Sequence, residues 1–332
     1  MIALTQGDPS GIGPEIALKT WLQRDAATPA FFMLGDPDHL ARVAKQLGLI
    51  IPIKSIEPRQ AAETFDSAFP VVPLAAKVRG EPGVPDPQDA PATLESIERA
   101  VTYVRAGDAR AVVTNPIAKD VLYRAGFRHP GHTEWLGELA EQQWSVGPLL
   151  PIMLLWSPLL AVVPVSIHVS LQRAISELTT QRIVDTARIV ARDMQAKFGL
   201  ARPRLAIAGL NPHAGEAGTM GREDIDIIAP AVETLRAEGI DVRGPLPPDT
   251  MFHAQARARY DVAICMYHDQ ALIPIKTLAF DTGVNTTLGL PFVRTSPDHG
   301  TAFDIAGKGV ANPASLIAAL ALAARLVADS RA

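Results

Sequence analysis

Three histidines each follow an apolar run that has the character of a buried strand. The runs and the histidines that end them are 160–167 with His168, 205–212 with His213, and 262–267 with His268. In open α/β sheets, ligands bind at the carboxyl ends of the strands, so imidazoles from three strands can meet there. Three neutral imidazoles with open remaining positions are typical of a catalytic site for zinc or a similar divalent ion. We therefore predict that all three bind one metal ion, although any one of them alone is consistent with an ordinary polar residue at a strand end.

Two segments are suited to binding anions at the start of a helix. The glycine-rich segment 5–15 follows the first apolar run and opens a helix at Pro14, and Gly131 precedes a helix that begins with His132 and Thr133. Glycines let backbone amides approach a ligand, and the N-terminus of a helix favours anions. Thr133 is a predicted N-cap, and His132 is suited to donate to a phosphate. A tight strand–helix connection and a simple capped helix are the alternative interpretations.

Further polar side chains lie towards the C-terminal end of the chain. Lys276, Asn285 and Arg294 occupy a stretch that has the pattern of strands and turns, and together they would form a cationic clamp for phosphate or carboxylate. Asp249 is a carboxylate on the proline-rich loop 244–250. The pattern leaves the general base open among Asp249, Lys276 and a metal-bound water, and each charged residue alone is also consistent with a solvated side chain.

The elements that must position these residues alternate between short apolar runs and longer amphipathic segments. This alternation predicts an α/β chain with a largely parallel sheet. The fingerprint G-x-G-x-x-G of Rossmann dinucleotide sites does not occur. The predicted strands are 2–5, 30–34, 111–114, 151–156, 160–167, 204–210 and 262–266, and the predicted helices are 14–24, 38–47, 92–106, 180–198, 223–238 and 314–328.

Composition narrows the class of protein. The chain has 332 residues, which favours two lobes over a single compact core, and its formal net charge is -4 with scattered Lys and Arg. We therefore expect no nucleic-acid partner. The single cysteine, Cys265, lies in an apolar run, where we expect a core residue rather than a nucleophile. A cysteine-poor chain without an evident signal peptide or spanning segment is expected to be a cytoplasmic protein with no membrane partner.

Six segments together give the chain a family resemblance. They are GDPSGIGPE (7–15), GHTE (131–134), GLNPHAGE (209–216), GPLPPDT (244–250), MYHDQ (266–270) and VNTTLGLPFVRTS (284–296). In this order they resemble the 4-hydroxythreonine-4-phosphate dehydrogenase family of vitamin B6 biosynthesis, and they span nearly the whole chain.

A second resemblance concerns the segment DHGTAFDIAGKGVANP (298–313), which is similar to the nicotinamide-cofactor segment of isocitrate and isopropylmalate dehydrogenases. It implies their two-lobed, non-Rossmann α/β fold, with a mostly parallel sheet and helices on both sides. The implied lobes are 1–130 plus 290–332, which carries the cofactor segment, and 131–289, which carries the metal site and the dimer contacts. The resemblance also implies a homodimer in which both subunits contribute to each active site.

The resemblance assigns roles to individual residues. It implies that His168, His213 and His268 bind the metal. It implies substrate contacts from His132, Thr133, Lys276, Asn285 and Arg294. More distantly, it implies cofactor contacts from His299, Gly300, Thr301 and Asp304. Asp249 and Lys276 remain the candidate catalytic residues.

The implied reaction is a metal-dependent, NAD- or NADP-linked oxidation of 4-phosphohydroxy-L-threonine to 2-amino-3-oxo-4-phosphooxybutanoate. This β-keto acid then decarboxylates to 3-amino-2-oxopropyl phosphate. Zinc, magnesium and cobalt are the candidate metals. The alternatives are a D-threonate or D-erythronate 4-phosphate dehydrogenase on the same scaffold, a metal-dependent hydrolase, and a non-enzymatic binding protein.

Overall fold

A computed structural model describes residues 1–129 and 131–329. The chain divides into two compact units. Unit 1 contains Met1–Pro151 and Leu290–Ala328, and unit 2 contains Ile152–Gly289. Both chain ends thus contribute to unit 1. Residues 131–151, which the sequence analysis grouped with the predicted metal site, belong to unit 1 by their contacts.

Strands and helices alternate along the described residues. The strands are β1 (Ile2–Thr5), β2 (Phe31–Gly35), β3 (Ile53–Ser55), β4 (Phe69–Pro73), β5 (Ala111–Val113), β6 (Ile152–Ser157), β7 (Leu160–Pro164), β8 (Arg204–Ala208), β9 (Asp241–Leu246), β10 (Val262–Cys265), β11 (Val284–Leu288) and β12 (Val293–Pro297). The helices are α1 (Gly13–Leu22), α2 (Pro37–Gln46), α3 (Ala61–Thr64), α4 (Ala90–Ala106), α5 (Lys119–Arg124), α6 (His132–Trp144), α7 (Leu171–Ser176), α8 (Thr180–Ala196), α9 (Ala229–Ala237), α10 (Ala254–Arg257), α11 (His268–Ala279) and α12 (Ala314–Asp329).

The sheet of unit 1 has the strand order β3-β4-β2-β1-β5-β12, and its described pairs are parallel. Strands buried on both faces are expected to be continuously apolar, and Phe31 and Phe32 on β2 are both fully buried. Helix α4 packs Ile97 and Val101 into the same core. The helix ends at Gly107, whose φ of 84° is the left-handed conformation that glycine adopts without strain. The central strands β1, β5 and β12 are therefore neighbours with a common direction.

The sheet of unit 2 has the order β11-β6-β7-β10-β8-β9. The pairs β11–β6 and β6–β7 are antiparallel, whereas β7, β10, β8 and β9 pair in parallel. Cys265 ends β10 in the core, and burial raises the pKa of its thiol. The thiol therefore stays protonated at neutral pH, as expected for a packing residue.

The predicted α/β fold with a mostly parallel sheet is confirmed. One local expectation was wrong: Lys276 lies on helix α11 and not among strands and turns. The misleading signal is Pro274, which sits inside this helix. Proline usually ends a helical pattern because it lacks an amide donor and clashes with the preceding turn. None of the described helices combines the length and the apolar composition needed to cross a lipid bilayer.

Candidate functional site

The three predicted metal ligands follow three neighbouring strands of unit 2. Strand β10 lies between β7 and β8 and is parallel to both, so the carboxyl ends of these strands share one edge of the sheet. His168, His268 and His213 come after β7, β10 and β8 respectively. The rings of His168 and His268 have centroids 5.7 Å apart and planes inclined at 43°. The structure thus places these two rings next to each other.

His268 has a carboxylate partner that fixes its orientation. The Asp269 Oδ1 atom lies 2.7 Å from His268 Nδ1. A carboxylate accepts from a protonated ring nitrogen, so this contact leaves Nε2 as the nitrogen with a lone pair. Metal-binding histidines usually have such a partner, because it holds the tautomer and increases the basicity of the ligand.

The backbone beside two of these histidines is strained. His168 has a φ of 35°, and His213 begins a run of left-handed residues with φ of 55° at His213, 52° at Ala214, 40° at Glu216 and 57° at Ala217. Such non-glycine conformations cost about 1–3 kcal/mol each and cluster at functional sites. Strain at two candidate ligands therefore supports a functional role for this edge of the sheet.

Asp224 holds the strained segment, and sequence analysis did not find it. Its buried carboxylate accepts hydrogen bonds from the amide of Leu210 at 2.8 Å, the amide of Asn211 at 3.1 Å, and Asn211 Nδ2 at 3.0 Å. These bonds link Leu210 and Asn211, which precede His213, to Asp224 at the start of the next helical segment. Nothing in the sequence distinguishes this aspartate from the exposed acidic residues around it.

Within residues 1–129 and 131–329, no group of three or more His, Cys, Asp or Glu side chains is arranged to hold a metal ion. His168 and His213 are exposed, whereas His268 is partly buried. The assignment of all three as ligands of one ion therefore stays a prediction.

Unit 1 contains a buried cation at the carboxyl side of its central strands. Arg294 lies on β12 with 3% exposure, and its Nη2 donates to Thr114 Oγ1 at 2.6 Å. Burial lowers the pKa of Arg294 to about 10, so the guanidinium remains charged at neutral pH. Arg294 therefore places a fixed positive charge in the interior of unit 1, and a guanidinium is well suited to bind a phosphate or carboxylate.

His132 adds a neutral donor beside this cation. It opens α6, and its Nε2 is buried without a hydrogen-bond partner among the described residues. Burial, together with the positive charges of Arg294 and Lys119, holds the pKa of His132 well below its ordinary range. The prediction that Thr133 is the N-cap was wrong: Gly131 is the N-cap of α6, and Thr133 lies in the first turn. The N-terminus of α6 presents backbone amides at the same place. These groups together suit a phosphate.

The other predicted substrate and catalytic residues lie in unit 2. Lys276 is partly buried on α11, with its Nζ 5.7 Å from the ring centroid of Phe280. Asn285 lies on β11 and pairs with Leu155 of β6. Asp249 is exposed on a short helical turn. The predicted clamp is therefore divided, because Arg294 belongs to unit 1 while Lys276 and Asn285 belong to unit 2.

The predicted cofactor segment packs closely against the glycine-rich segment within unit 1. The amide of Ile12 donates to the Thr301 carbonyl at 2.9 Å. A Cβ atom added to Gly11 would lie 2.9 Å from that carbonyl oxygen, so only glycine fits there. Next to this contact, the Nε2 atom of His299 is buried without a partner among the described residues, and Nδ1 lies 3.0 Å from the Gly300 carbonyl oxygen. Because Nδ1 donates to that carbonyl, Nε2 is left as an acceptor, which suits a hydroxyl group of a ligand. Asp304 is exposed.

Two buried ionisable residues near the first strand escaped the sequence analysis. Asp8 is 5% exposed, and burial, reinforced by the charge of Asp89, raises its pKa to about 6. His39 is 2% exposed, and burial lowers its pKa to about 4. The ring of His39 lies beneath the glycine-rich segment, where its Nε2 is 3.1 Å from the Pro9 carbonyl oxygen.

Comparison with known proteins shows the family of this chain. A family model described as "Pyridoxal phosphate biosynthetic protein PdxA" matches residues 26–323. The chain belongs to this family. Two relatives named 4-hydroxythreonine-4-phosphate dehydrogenase are similar to it over most of their length. The protein from Bradyrhizobium diazoefficiens is 61% identical over 98% of this chain and 97% of its own length. The protein from Methylorubrum populi is 64% identical over 98% of this chain and 94% of its own length.

A solved structure supports the same conclusion. The 4-hydroxythreonine-4-phosphate dehydrogenase from Klebsiella pneumoniae is 36% identical, covers 98% of this chain and 99% of its own, and superposes with a TM-score of 0.86. The family resemblance expected from the six sequence segments is therefore confirmed. We call the carboxyl edge shared by β7, β10 and β8, with His168, His268 and His213, the histidine edge. The PdxA segments contain His213 and His268 of this edge and Arg294 of unit 1.

Proposed function

We propose that this PdxA-family protein oxidises the secondary alcohol of 4-phosphohydroxy-L-threonine with NAD or NADP in pyridoxal phosphate biosynthesis. The product is 2-amino-3-oxo-4-phosphooxybutanoate, which loses CO2 to give 3-amino-2-oxopropyl phosphate. The observation that carries the proposal is the buried cationic pocket around Arg294 and His132, which matches the phosphate named in the relatives' substrate.

The phosphate end of the substrate is bound by unit 1. The Arg294 guanidinium supplies a fixed positive charge, and the neutral His132 ring and the amides at the start of α6 supply hydrogen bonds. Charge-assisted hydrogen bonds to phosphate are among the strongest polar contacts in proteins. Binding energy gained at the phosphate orients the reacting carbon, because that end of the substrate does not change during the reaction.

The residues present fit a dinucleotide and a divalent ion. The buried acceptor on His299 suits a ribose hydroxyl, and the adjacent rings of His168 and His268 suit a divalent metal that accepts imidazole ligands, such as zinc or cobalt, better than magnesium. When bound, the dinucleotide accepts the hydride and the ion lowers the pKa of the substrate hydroxyl. The contribution of the chain is to hold these groups: His299, Gly300, Thr301 and Asp304 towards the dinucleotide, and the three histidines towards the ion.

Asp249 and Lys276 are the proposed acid–base residues. Lys276 lies on α11, the helix that begins with His268, so its position is tied to the histidine edge. Asp249 is accessible to solvent on a turn between prolines and the start of α10, which suits proton exchange with water. Asn285 completes the proposed substrate contacts from unit 2.

We further propose a cytoplasmic homodimer in which a second copy completes the metal site. Two helices that start at the histidine edge expose apolar side chains. On and after α11, Ile273 is 65% and Phe280 is 74% exposed, and on α7, Leu171 is 57% exposed. Ile273 and Phe280 are seven residues apart, a spacing that puts them on one face of a helix. Exposed apolar faces mark interaction surfaces, and symmetric dimers are the commonest assembly. The position of His213, exposed and apart from a complete ligand set, is consistent with completion by a partner.

Substrate assays test the proposal directly. The protein, supplied with zinc, cobalt or magnesium, is mixed with 4-phosphohydroxy-L-threonine and either NAD or NADP, and formation of the reduced dinucleotide is followed by absorbance. D-Threonate 4-phosphate and D-erythronate 4-phosphate are the matched alternative substrates. We expect the threonine derivative to give the highest kcat/KM. Faster turnover of either sugar-acid phosphate would assign the alternative activity. Release of inorganic phosphate without dinucleotide reduction would instead assign a hydrolase.

A further inference from the structure

Helix α1 carries a buried ion pair that the reaction does not use. Glu15 is 1% exposed, and its side chain meets Lys19 Nζ at 2.8 Å, one helical turn away. Burying a carboxylate is costly unless opposite charge and hydrogen bonds compensate it. The other hydrogen-bond partners of Glu15 and Lys19 therefore indicate the structural role of the pair.

Those partners are all backbone groups of one distant loop. Glu15 accepts from the amide of Gly307 at 3.1 Å and from the amide of Ala311 at 3.0 Å. Lys19 Nζ donates to the carbonyls of Gly309 and Ala311, each at 2.8 Å. The pair thus fixes the path of the main chain whatever side chains the loop carries.

The loop in question is the segment 298–313, defined here as the cofactor loop. It lies between β12 and α12, and it contains His299, Gly300, Thr301 and Asp304. Its path includes Ala302 with a φ of 45°, a left-handed conformation that costs about 1–3 kcal/mol at a residue other than glycine, so the path of the loop needs support. The Ile12–Thr301 hydrogen bond fastens its first half, and the Glu15–Lys19 pair fastens its second half.

We propose that Glu15 and Lys19 are positioning residues that hold the cofactor loop ready for the dinucleotide, an inference that rests on the proposed function. Ordering a loop before the ligand arrives removes an entropic cost from binding, so the affinity for the ligand increases. The pair touches neither the reacting atoms nor the phosphate pocket. Its loss should therefore weaken dinucleotide binding and leave substrate recognition intact.

Unit 1 offers a closely matched control. On α4, Glu95 and Arg99 form another ion pair one turn apart, at 2.9 Å. Glu95 accepts from the amides of Ala75 and Ala76, and Arg99 donates to the carbonyl of Pro73, the last residue of β4 before that loop. This pair fastens a loop by the same chemistry, but that loop carries none of the predicted cofactor residues.

The experiment compares Glu15→Gln and Lys19→Met with Glu95→Gln. Binding of NAD, or of NADP if the wild type prefers it, is measured by calorimetry without substrate. KM for the phosphorylated substrate and the thermal midpoint are measured in parallel. We expect the Kd for the dinucleotide to rise about tenfold in both α1 variants and to stay unchanged in Glu95→Gln. Equal dinucleotide affinities in all three variants, or an equal loss in all three, would overturn the proposal.

Hydrogen exchange separates this inference from the proposed function. We expect the amides of residues 307–311 to exchange faster in both α1 variants than in Glu95→Gln, and bound dinucleotide to slow them in the wild type. If the wild type binds neither NAD nor NADP, the proposed function fails and this inference fails with it. If the wild type binds and the α1 variants bind equally well, only the positioning role is lost.

Discussion

The proposed phosphate pocket of unit 1, around Arg294 and His132, and the histidine edge of unit 2 are pre-organised to different degrees. In unit 1, Arg294 is buried and hydrogen-bonded to Thr114, and the Nε2 atom of His132 is buried near its charge. In unit 2, the rings of His168 and His268 are neighbours, while His168 and His213 are exposed on strained backbone. The anion site is thus organised within one unit of one chain, whereas the proposed metal site is not. We infer that the metal ion or a second subunit supplies the missing organisation.

The difference follows from how each site is held. Strand-borne Arg294 takes its position from the sheet, and His132 takes its position from a helix of 13 residues. His213 depends on a loop whose left-handed backbone is held mainly through Asp224. Sites on rigid elements are pre-organised more easily than sites on loops.

Replacing His213 tests the proposed metal site of unit 2, and this change should have the largest effect on turnover. Glycine adopts the φ of 55° at this position without strain, so His213→Gly should be as stable as the wild type or more stable by about 1 kcal/mol. Metal content should nevertheless fall, and turnover should drop by at least about 10⁴-fold. Metal analysis, kinetics and urea unfolding measure these effects.

Ala214→Gly is the matched control for His213→Gly, because Ala214 has the same left-handed backbone with a φ of 52°. We expect it to keep metal and activity while showing a similar change in stability. Wild-type turnover in metal-free His213→Gly protein would show that this histidine does not serve the reaction.

Removing the positive charge of Arg294 tests the proposed phosphate pocket of unit 1. Arg294→Met keeps the length of the side chain but removes the charge, so kcat/KM should fall by about 10³-fold. Arg294→Lys keeps the charge without the planar fork and should lose about tenfold to a hundredfold. Inhibition by inorganic phosphate should weaken in the same order in both variants. If phosphate inhibited Arg294→Met as strongly as the wild type, the pocket would not be the phosphate site.

The pH dependence of the free energy of unfolding tests how burial of Asp8 and His39 affects the stability of the protein. The pKa of Asp8 is raised to about 6, so the folded state binds an extra proton between about pH 4 and pH 6, and Asp8 lowers stability as pH rises through that range. His39, with its pKa lowered to about 4, raises stability over about pH 4 to 6.5. The two residues therefore oppose each other in the wild type.

In Asp8→Asn, the increase in stability with pH that comes from His39 should no longer be opposed by Asp8. We expect its free energy of unfolding to exceed that of the wild type by about 2–3 kcal/mol near pH 7 and to match it near pH 4. Urea titrations at several pH values give this difference. A difference that is the same at every pH would mean that the Asp8 carboxyl titrates normally.

A single surface substitution tests whether a second copy covers the histidine edge. Ile273→Asp places a charge on the exposed apolar face of α11, and it should raise the dimer dissociation constant by about thirtyfold. Ile50→Asp, at a residue that is 93% exposed in unit 1, is the control and should leave assembly unchanged. Analytical ultracentrifugation measures both. A wild type that is monomeric at all concentrations would contradict the dimer.

Sequence patterns found the elements and the strand-end histidines because both depend on local periodicity. An apolar run predicts a strand, and a parallel sheet brings the ends of its strands to one edge. The family resemblance supplied the pairing of both chain ends in one lobe, which no local pattern contains. Helix α11 was missed because Pro274 gives a local signal that tertiary packing overrides.

The sequence did not reveal which polar side chains are buried by segments that lie far away along the chain. The spacing of Glu15 and Lys19 predicts an ion pair on a helix, but their partners lie about 290 residues later in the chain. Burial of Asp8 and His39 likewise depends on how the glycine-rich segment folds over α2. Left-handed backbone at His168 and His213 has no local sequence signal, because neither is a glycine.

The division of unit 1 between both chain ends has a consequence for synthesis of the protein. Residues 152–289 all leave the ribosome before β12 and α12 do. Unit 1 needs both of these last elements, because β12 completes its sheet and α12 packs within the same unit. Domains fold as the chain emerges, at about 5–20 residues per second. Unit 2 is thus able to fold first, and the nascent N-terminal strands must wait with an open sheet edge at β5. Ribosome-bound chains that stop before residue 293 should therefore be the ones that chaperones retain.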